Sequence, residues 1–502
     1  VGEYLYFNGN DILSELELTD ALTAVDDYIS ISGSPLLCLP DLDWESISDS
    51  VSISGVAECD GGGSVEVDCG REVGGLMLED TTWTTGDGPV HVTSSLMVME
   101  SATLTIEPGV TVCMAEGASV VVRGGFVARG TASDPIVFTP DVSDPEPGHW
   151  SNISMITTTE DVALDADGAY VSGSVLEHVQ LSHGGGGESV LGLVETNNVA
   201  VLISHVTITE SETNAIAINA ESGDGTLPLT RIVSSELHNN GAHGVWMYGY
   251  RLYGSVEVHD CEILDNGSAG ISTGGGDSGG SHVFTFTDNR VIGNGGTGIW
   301  GGANGTQTIT GNVVTDNGGN GIHTRGNGTY TVANNTVLNN GGVGVYGLYA
   351  THLIEDNEVS GNARGVEIAQ GGSYTITGNI ITENTASDGA GVHTLEAWSP
   401  EVTMTDNIIT GNSCTDPGCS IVTVFDPESG DPAFVLTGND LSGNTGDYLV
   451  WTERSVSRST VDASNNYWGT TDTSAIDGLI YDYFDDSSVG LVNYTPFLDE
   501  AP

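Results

Sequence analysis

A short unit in which aliphatic residues alternate with asparagines recurs through most of this chain. It reads aliphatic-x-x-Asn-x-aliphatic-x-x-Asn, followed by a short turn and Gly-Val or Gly-Ile, as in Ile309–Asn317, Ile354–Asn362 and Ile376–Asn384. The first Asn recurs every 22 to 32 residues, at Asn289, Asn312, Asn335, Asn357, Asn379, Asn407 and Asn439. A repeat near 22 residues with several short β segments is typical of a solenoid whose units stack on one another.

The unit predicts an all-β, right-handed parallel β-helix with three sheets, coils of about 22–30 residues and caps at both ends. Aliphatic residues at alternating strand positions point inward, and stacked coils about 4.8 Å apart join them into one core. Asn suits the corners because it tolerates left-handed backbone geometry and its amide can bond the Asn of the next coil.

The chain is expected to have four parts. Residues 1–70 form a solenoid-like cap or assembly segment, 71–175 irregular first coils, 176–465 regular repeats and 466–502 a C-terminal cap.

The charge balance is strongly acidic. The chain has 69 acidic and 10 basic residues, a net charge of −59, and every basic residue is Arg. Such a surface repels phosphate backbones and anionic lipids, which excludes nucleic-acid binding, and repels uronic-acid polysaccharides unless Ca²⁺ bridges the two. The acidic surface has two interpretations: it serves solubility alone, or it also binds divalent cations. No apolar stretch is long enough to span a membrane.

Seven cysteines point to an oxidising compartment. The expected disulfides are Cys59–Cys69, around a Gly-rich turn, and Cys414–Cys419, around Thr-Asp-Pro-Gly. Cys113 and Cys261 lie in strand patterns and are predicted to be buried thiols, while the state of Cys38 stays open. The chain begins with Val, and we interpret it as a secreted or cell-surface protein whose export signal has been removed.

The pattern resembles the pectate-lyase-like β-helix superfamily, in particular the parallel β-helix repeats of bacterial surface proteins. Leu104–Val112 and Pro135–Thr139 are similar to its first coils, and Asn465–Gly469 to its closing segment. Residues 1–70 resemble the leucine-rich solenoid of receptor L domains. The resemblance implies the fold and leaves the activity open. Relatives that cleave uronic-acid polymers need a carboxylate cluster and a basic residue, and no carboxylate cluster is evident around Arg364.

One outward-facing column emerges when the coils are aligned. The residue after each Gly-Val or Gly-Ile faces outward because its neighbour faces in. The column is an aromatic stripe suited to sugar rings or a partner rod, and Glu367 and His393 within it are placed to form an acid–base pair. The alternative is that aromatic residues simply favour exposed strand positions. Its members are Trp246, Ser272, Trp300, His323, Tyr346, Glu367 and His393.

Two further sites are predicted outside the stripe. Asp165 with Asp167, and Glu221 with Asp224, lie in oxygen-rich turns that suit Ca²⁺, although isolated Asp-Gly turns are usually only turns. The apolar run Tyr4, Leu5, Tyr6 and Phe7 is a candidate assembly strand that adds to a neighbouring molecule; the alternative is pairing within its own chain.

Together these features favour a non-catalytic extracellular structural or adhesive protein, with self-assembly into filaments through its termini as one form. The alternative is a carbohydrate-binding protein, or a polysaccharide lyase or hydrolase, that uses the outward stripe. The expected partners are other copies of the chain or extracellular glycans, and calcium is the only cofactor suggested.

Overall fold

The computed structural model describes residues 69–502, apart from 157, 167, 220–228, 250–253, 276–281, 303, 396–400, 425–433 and 453–459. Before residue 69 it describes five strands. The chain divides into two compact units, Val1–Glu66 and Val67–Pro502.

The first unit contains two small parallel sheets. Tyr4–Asn8, Tyr28–Ser32 and Val51–Ser54 form one sheet in that order, and Cys38–Leu39 pairs with Ala57–Glu58. The candidate assembly strand therefore pairs with Tyr28–Ser32 of its own chain, residue for residue from Tyr4 opposite Tyr28. Pairing within its own chain is the alternative that the sequence analysis gave for this segment. The other edge of Tyr4–Asn8 has no partner strand among the described residues.

The second unit is a parallel β-solenoid of about 14 coils, which confirms the predicted fold class. Each coil contributes a strand to each of three sheets, here named sheets I, II and III in the order the chain visits them. Sheet I comprises Thr81–Trp83, Thr103–Ile106, Gly125–Arg129, Val175–Glu177, Leu202–Ser204, Leu229–Val233, Gly254–His259, His282–Thr287, Gly305–Thr310, Gly328–Ala333, Thr351–Glu355, Ser373–Thr377, Glu401–Thr405, Phe434–Thr437, Thr460–Asp462 and Leu491–Asn493.

Sheets II and III are joined at the first coils by the long strands Arg71–Met77 and Val90–Val98. Sheet II continues with Thr111–Met114, Ile136–Pro140, Val179–Ser182, Thr207–Thr209, Glu236–His238, Glu262–Leu264, Arg290–Ile292, Val313–Thr315, Thr336–Leu338, Glu358–Ser360, Ile380–Thr382 and Ile408–Thr410. Sheet III continues with Val120–Val122, Ile153–Met155, Gly192–Asn197, Asn214–Asn219, Val245–Gly249, Ile271–Gly275, Ile299–Gly301, Ile322–Arg325, Val343–Leu348, Arg364–Ala369, Val392–Thr394, Ser420–Val424, Tyr448–Thr452 and Ile480–Tyr481.

Few of the described secondary-structure elements lie outside these sheets. Ala163–Leu164 and Tyr170–Ser172 form an antiparallel pair, and Thr385–Ala386 lies parallel to Ser413–Cys414. A 3-10 helix covers Thr85–Asp87. The α-helix Thr473–Asp477 follows Asp472, whose carboxylate accepts the Ser474 amide as an N-cap.

The interior is a continuous apolar column because every strand places alternate side chains inward. Ile309, Val332, Ile354 and Ile376 occupy equivalent positions on successive coils and are fully buried. One interior row is aromatic and polar: the ring of His352 stacks between Tyr330 and Tyr374, at centroid distances of 4.8 and 4.9 Å. Both tyrosine hydroxyls donate to backbone carbonyls, so this row is hydrogen-bonded as well as buried.

Asparagines form two buried ladders, one at each side of sheet II. In the first ladder the Asn335 amide nitrogen donates 2.9 Å bonds to Oδ1 of Asn357 and to the carbonyl of Ile309. Its own Oδ1 accepts from the Asn312 side chain at 2.9 Å. The first ladder runs through Asn289, Asn312, Asn335, Asn357, Asn379, Asn407, Asn439 and Asn466, and the second through Asn240, Asn266, Asn294, Asn317, Asn340, Asn362, Asn384, Asn412 and Asn444.

The left-handed corner residue is the one before each ladder asparagine, which corrects the sequence interpretation. Asp288, Gly311, Asn334 and Asp356 have φ between 52° and 70°, whereas the ladder residues that follow them do not have positive φ. The corner needs a small or polar residue that tolerates this conformation. The ladder Asn serves the hydrogen bonds instead.

Two disulfides lie within the described residues. Cys414 and Cys419 are bonded to each other, as expected. The expected Cys59–Cys69 pair is wrong: Cys69 is bonded to Cys113, with Cα atoms 5.8 Å apart, and Cys59 lies outside the described residues. Cys113 is therefore not a free thiol. Cys113 lies in Thr111–Met114, which pairs with Val90–Val98 at the start of the solenoid. The disulfide joins residues 44 positions apart, a contact that the spacing of the cysteines alone does not reveal. Cys261 is a buried free thiol, and burial raises its pKa to about 12.

Candidate functional site

The outward stripe is a single column of paired strand positions on sheet III. Register pairs Trp246 with Ser272, then Trp300, His323, Tyr346, Glu367 and His393 on successive coils. The same register extends the column to Thr423, Trp451 and Tyr481, which the sequence interpretation did not include. We call Trp246 to Tyr481 the outward column. Its nine steps of about 4.8 Å give a length of about 43 Å.

The first half of the outward column holds four half-buried rings, Trp246, Trp300, His323 and Tyr346, and the fully buried Ser272. The rings of Trp300 and His323 stack with centroids 6.1 Å apart, and those of His323 and Tyr346 at 4.6 Å. The Trp300 indole also lies over the backbone of Gly302, where a Cβ atom would come within 3.1 Å of Nε1. Glycine at this position lets the ring rest against the sheet. Burial lowers the pKa of His323 to about 4, so its ring is neutral at pH 7.

An ionisable cluster follows the aromatic half, at Arg364, Glu367, Asp388 and His393. Arg364 pairs with the Glu367 carboxylate and donates a 2.8 Å bond to the carbonyl of Asp388. The His393 ring lies between two carboxylates, with Nδ1 3.6 Å from Glu367 Oε2 and Nε2 3.9 Å from Asp388 Oδ2. Burial lowers the pKa of the Arg364 guanidinium. The cluster corrects the expectation that Arg364 has no carboxylates around it.

Asp388 is fixed by its neighbours and partly open to solvent. One carboxylate oxygen accepts bonds from the Ser420 hydroxyl at 3.2 Å and the Thr423 hydroxyl at 3.1 Å. The other oxygen faces His393, and 41% of the Asp388 side chain is exposed. Glu367 and His393 side chains are only 9% exposed. A carboxylate, an imidazole and a second carboxylate in a row can hold or pass a proton and can bond hydroxyl groups.

A second aromatic group closes the far end of the outward column. The rings of Trp451 and Tyr481 stack face to face, with centroids 3.8 Å apart and planes 5° apart. Tyr448 meets both rings edge-on. The ionisable cluster therefore lies between two aromatic groups.

A carboxylate that the sequence did not single out lies on the same sheet, two coils before Trp246. Glu195 accepts bonds from the Tyr248 hydroxyl at 2.9 Å and from the Asn152 amide at 3.2 Å. Desolvation by burial raises the pKa of Glu195. Tyr248 and Glu195 lie two coils apart, with Ala217 and Asn219 on the coil between them. Only the register of three coils reveals this contact.

The candidate calcium turns fall mostly outside the described part of the chain. Asp167, Glu221 and Asp224 lie there, while Asp165 is described and its carboxylate accepts the Ala169 amide at 2.9 Å. Among the described residues, no group of three or more His, Cys, Asp or Glu side chains is arranged to hold a metal ion. Nor does any helix in that part of the chain have the length and apolar character needed to cross a membrane.

Comparison with known families places the architecture. Residues 191–346 and 278–465 match the family described as the right handed beta helix region, and residues 75–188 match the pectate-lyase like beta helix domain. These matches and the three-sheet solenoid define a parallel β-helix protein. The chain belongs to the pectate-lyase-like right-handed β-helix superfamily. No curated protein sequence matches it.

Solved structures with this architecture are similar at low identity. A mutant of the periplasmic alginate epimerase AlgG is 15% identical, with 72% of this chain and 77% of that chain covered and a TM-score of 0.38. The A-module of the Azotobacter vinelandii mannuronan C-5 epimerase AlgE6 is 16% identical, with 75% and 87% covered and a TM-score of 0.29. A mannuronic acid specific polysaccharide family 6 lyase from human gut microbiota is 11% identical, with 85% and 86% covered and a TM-score of 0.30. These likenesses concern the fold alone.

Proposed function

We propose that the protein binds a polysaccharide along the outward column of sheet III. The observation that carries the proposal is the unbroken register from Trp246 to Tyr481, with half-buried rings on both sides of the Arg364–Asp388 cluster. A column about 43 Å long accommodates several sugar units in a row. Export fits the two disulfides, which persist in oxidising compartments.

The side chains of the column suit sugars for two reasons. Aromatic rings give sugars an apolar surface, and a few fixed polar groups set orientation. Glu367, Asp388 and Arg364 offer acceptors and donors for hydroxyl groups in the middle of the column. The Glu367–His393 pair also carries the groups that a lyase or hydrolase needs for proton transfer, so cleavage is an extension of the binding proposal.

The test is affinity electrophoresis of Trp300→Ala and Tyr346→Ala in gels containing polysaccharides. We expect each variant to lose about tenfold or more in affinity, about 1.4 kcal/mol, because each removes a ring from the column. Phe484→Ala is the matched control, since Phe484 is a ring 84% exposed outside the column. Circular dichroism verifies that the variants are folded. Unchanged retardation of both column variants would remove the outward column as the binding face.

Cleavage has its own measurement. Incubation of the protein with each retarding polysaccharide, followed by assays for new reducing ends and for unsaturated sugars, separates a hydrolase from a lyase. If cleavage occurs, Glu367→Gln should abolish it while retaining most of the binding, because the amide keeps the shape and loses the ionisable group.

The second candidate is the structural or adhesive role, with filaments joined through the termini. The face-to-face stacking of Trp451 on Tyr481 favours it, because rings that stack on one another stabilise coils without any ligand. In this case Trp300→Ala lowers the melting temperature and changes no glycan binding. Size-exclusion chromatography of a chain lacking residues 1–8 tests the assembly strand: an oligomeric state equal to that of the full chain would eliminate it.

A further inference from the structure

The strands of sheet III that carry the outward column contain few charged residues. From Val245–Gly249 to Ile480–Tyr481, the strands of sheet III contain only three charged residues: Arg325, Arg364 and Glu367. With Asp388 of the ionisable cluster added, two arginines and two carboxylates give a formal charge of zero, in a chain with a net charge of −59. Arg364 and Glu367 are paired with each other. Arg325 is exposed and has no carboxylate partner among the described residues.

Sheet I of the same coils is acidic. The strands of sheet I from Gly254–His259 to Leu491–Asn493 contain four acidic residues and no basic one: Glu257, Glu355, Glu401 and Asp462. The corner between sheets I and II adds a row of exposed carboxylates at Asp260, Asp288, Asp356 and Asp406.

We infer that the ligand of the outward column is an uncharged polysaccharide; the inference rests on the proposed function and adds the substrate class. A polyanion on sheet III would lie beside acidic faces and find one open guanidinium, Arg325, over about 43 Å of column. At physiological salt, repulsion between two negative charges extends about 8 Å. The carboxylates beside sheet III therefore repel any part of an anionic polymer that extends past the edge of the column. A neutral chain has no such cost. It uses the rings of Trp300 and Tyr346 and the polar groups around Glu367.

The experiment compares neutral and anionic polymers on the full chain. The neutral probes are amylose, xylan, mannan, mixed-linkage β-glucan and chitin oligosaccharides; the anionic probes are alginate and polygalacturonate. Retardation is measured at low and high NaCl, and for the anionic polymers with and without Ca²⁺. Each measurement is repeated with Trp300→Ala and with the control Phe484→Ala.

The expected result is that at least one neutral polymer retards the protein, that its affinity changes less than about twofold between the two salt concentrations, and that Trp300→Ala loses this binding. Binding of alginate or polygalacturonate alone, lost in Trp300→Ala, overturns the neutral class and leaves the column as the binding face. Binding that Trp300→Ala does not alter, or no binding by any probe, overturns the proposed function itself.

Discussion

At the residue scale, each ladder asparagine saturates its hydrogen-bonding capacity. Asn335 is 1% exposed, its nitrogen donates two bonds and its oxygen accepts from both the side chain and the backbone amide of Asn312. A buried amide left without partners costs about 1 to 3 kcal/mol per group. Removing the amide of Asn335 would therefore leave buried groups on two neighbouring coils without partners.

Asn335→Ala is expected to destabilise the solenoid by about 3 kcal/mol. It removes donors from Asn357 Oδ1 and the Ile309 carbonyl and the acceptor of the Asn312 amide, in a site closed to water. Guanidinium unfolding followed by circular dichroism measures the change. Asn327→Ala is the control, because Asn327 is exposed and outside both ladders. Equal stability of the two variants would refute the role given to the ladder.

His352 makes stability depend on pH. Burial lowers its pKa to about 3 in the folded protein, against about 6.5 in an unfolded chain. Below pH 6.5 the unfolded chain binds a proton that the folded protein does not, so this contribution is lost as the pH falls from 6.5 towards 3, by up to about 1.4 kcal/mol per unit. His352→Phe should flatten the stability profile between pH 6.5 and 4.5, measured by unfolding at each pH. An unchanged slope would contradict this assignment.

At the element scale, strand alternation predicts the register of the outward column but not the residues around it. The Gly-Val or Gly-Ile signal places Trp300, His323 and Tyr346 on one face because neighbouring strand residues point to opposite sides. Asp388, the second carboxylate that faces His393, was hidden because it lies in a turn whose length is not fixed by the repeat. Tyr481 lies on a coil where the repeat signal is lost. Cys69–Cys113 was missed because it depends on which strands pair at the first coils.

The Tyr248–Glu195 bond is expected to fasten three coils of sheet III together. Tyr248→Phe removes the hydroxyl from a buried carboxylate that retains Asn152, so we expect a loss of about 1 to 2 kcal/mol. Tyr467→Phe is the control, because the Tyr467 hydroxyl has no hydrogen bond within the described residues. Differential scanning calorimetry measures both. A loss no larger than the control's would mean that the contact contributes nothing net.

At the scale of the whole molecule, unbalanced charge dominates. Five of the described arginines form ion pairs with glutamates: Arg123, Arg129, Arg231, Arg290 and Arg364. Most of the 69 acidic residues therefore have no basic partner available. Like charges at this density repel one another in the folded state, and mobile counterions reduce that repulsion.

The melting temperature should rise as NaCl increases, because counterions screen the carboxylates. Calcium removed with a chelator and then restored at constant ionic strength tests the calcium turns proposed from sequence. We expect ionic strength to account for most of the rise in melting temperature. A further rise in melting temperature with Ca²⁺, absent with Mg²⁺, would instead support calcium sites at the turns of Asp165 with Asp167 and Glu221 with Asp224. Calorimetry measures the melting temperature in each case.

In the coils from Asn289 to Asn444, the differences in length lie beside sheet III. Between the two ladders the separation is five residues in each of the coils with Asn312 and Asn317, Asn357 and Asn362, and Asn407 and Asn412. After sheet III, by contrast, the connection is two residues, 326–327, in one coil and nine, 425–433, in another. The connections beside the outward column can therefore change in length and sequence without disturbing the stacked coils. Relatives with the same interior would be free to diverge in what they recognise, one coil at a time.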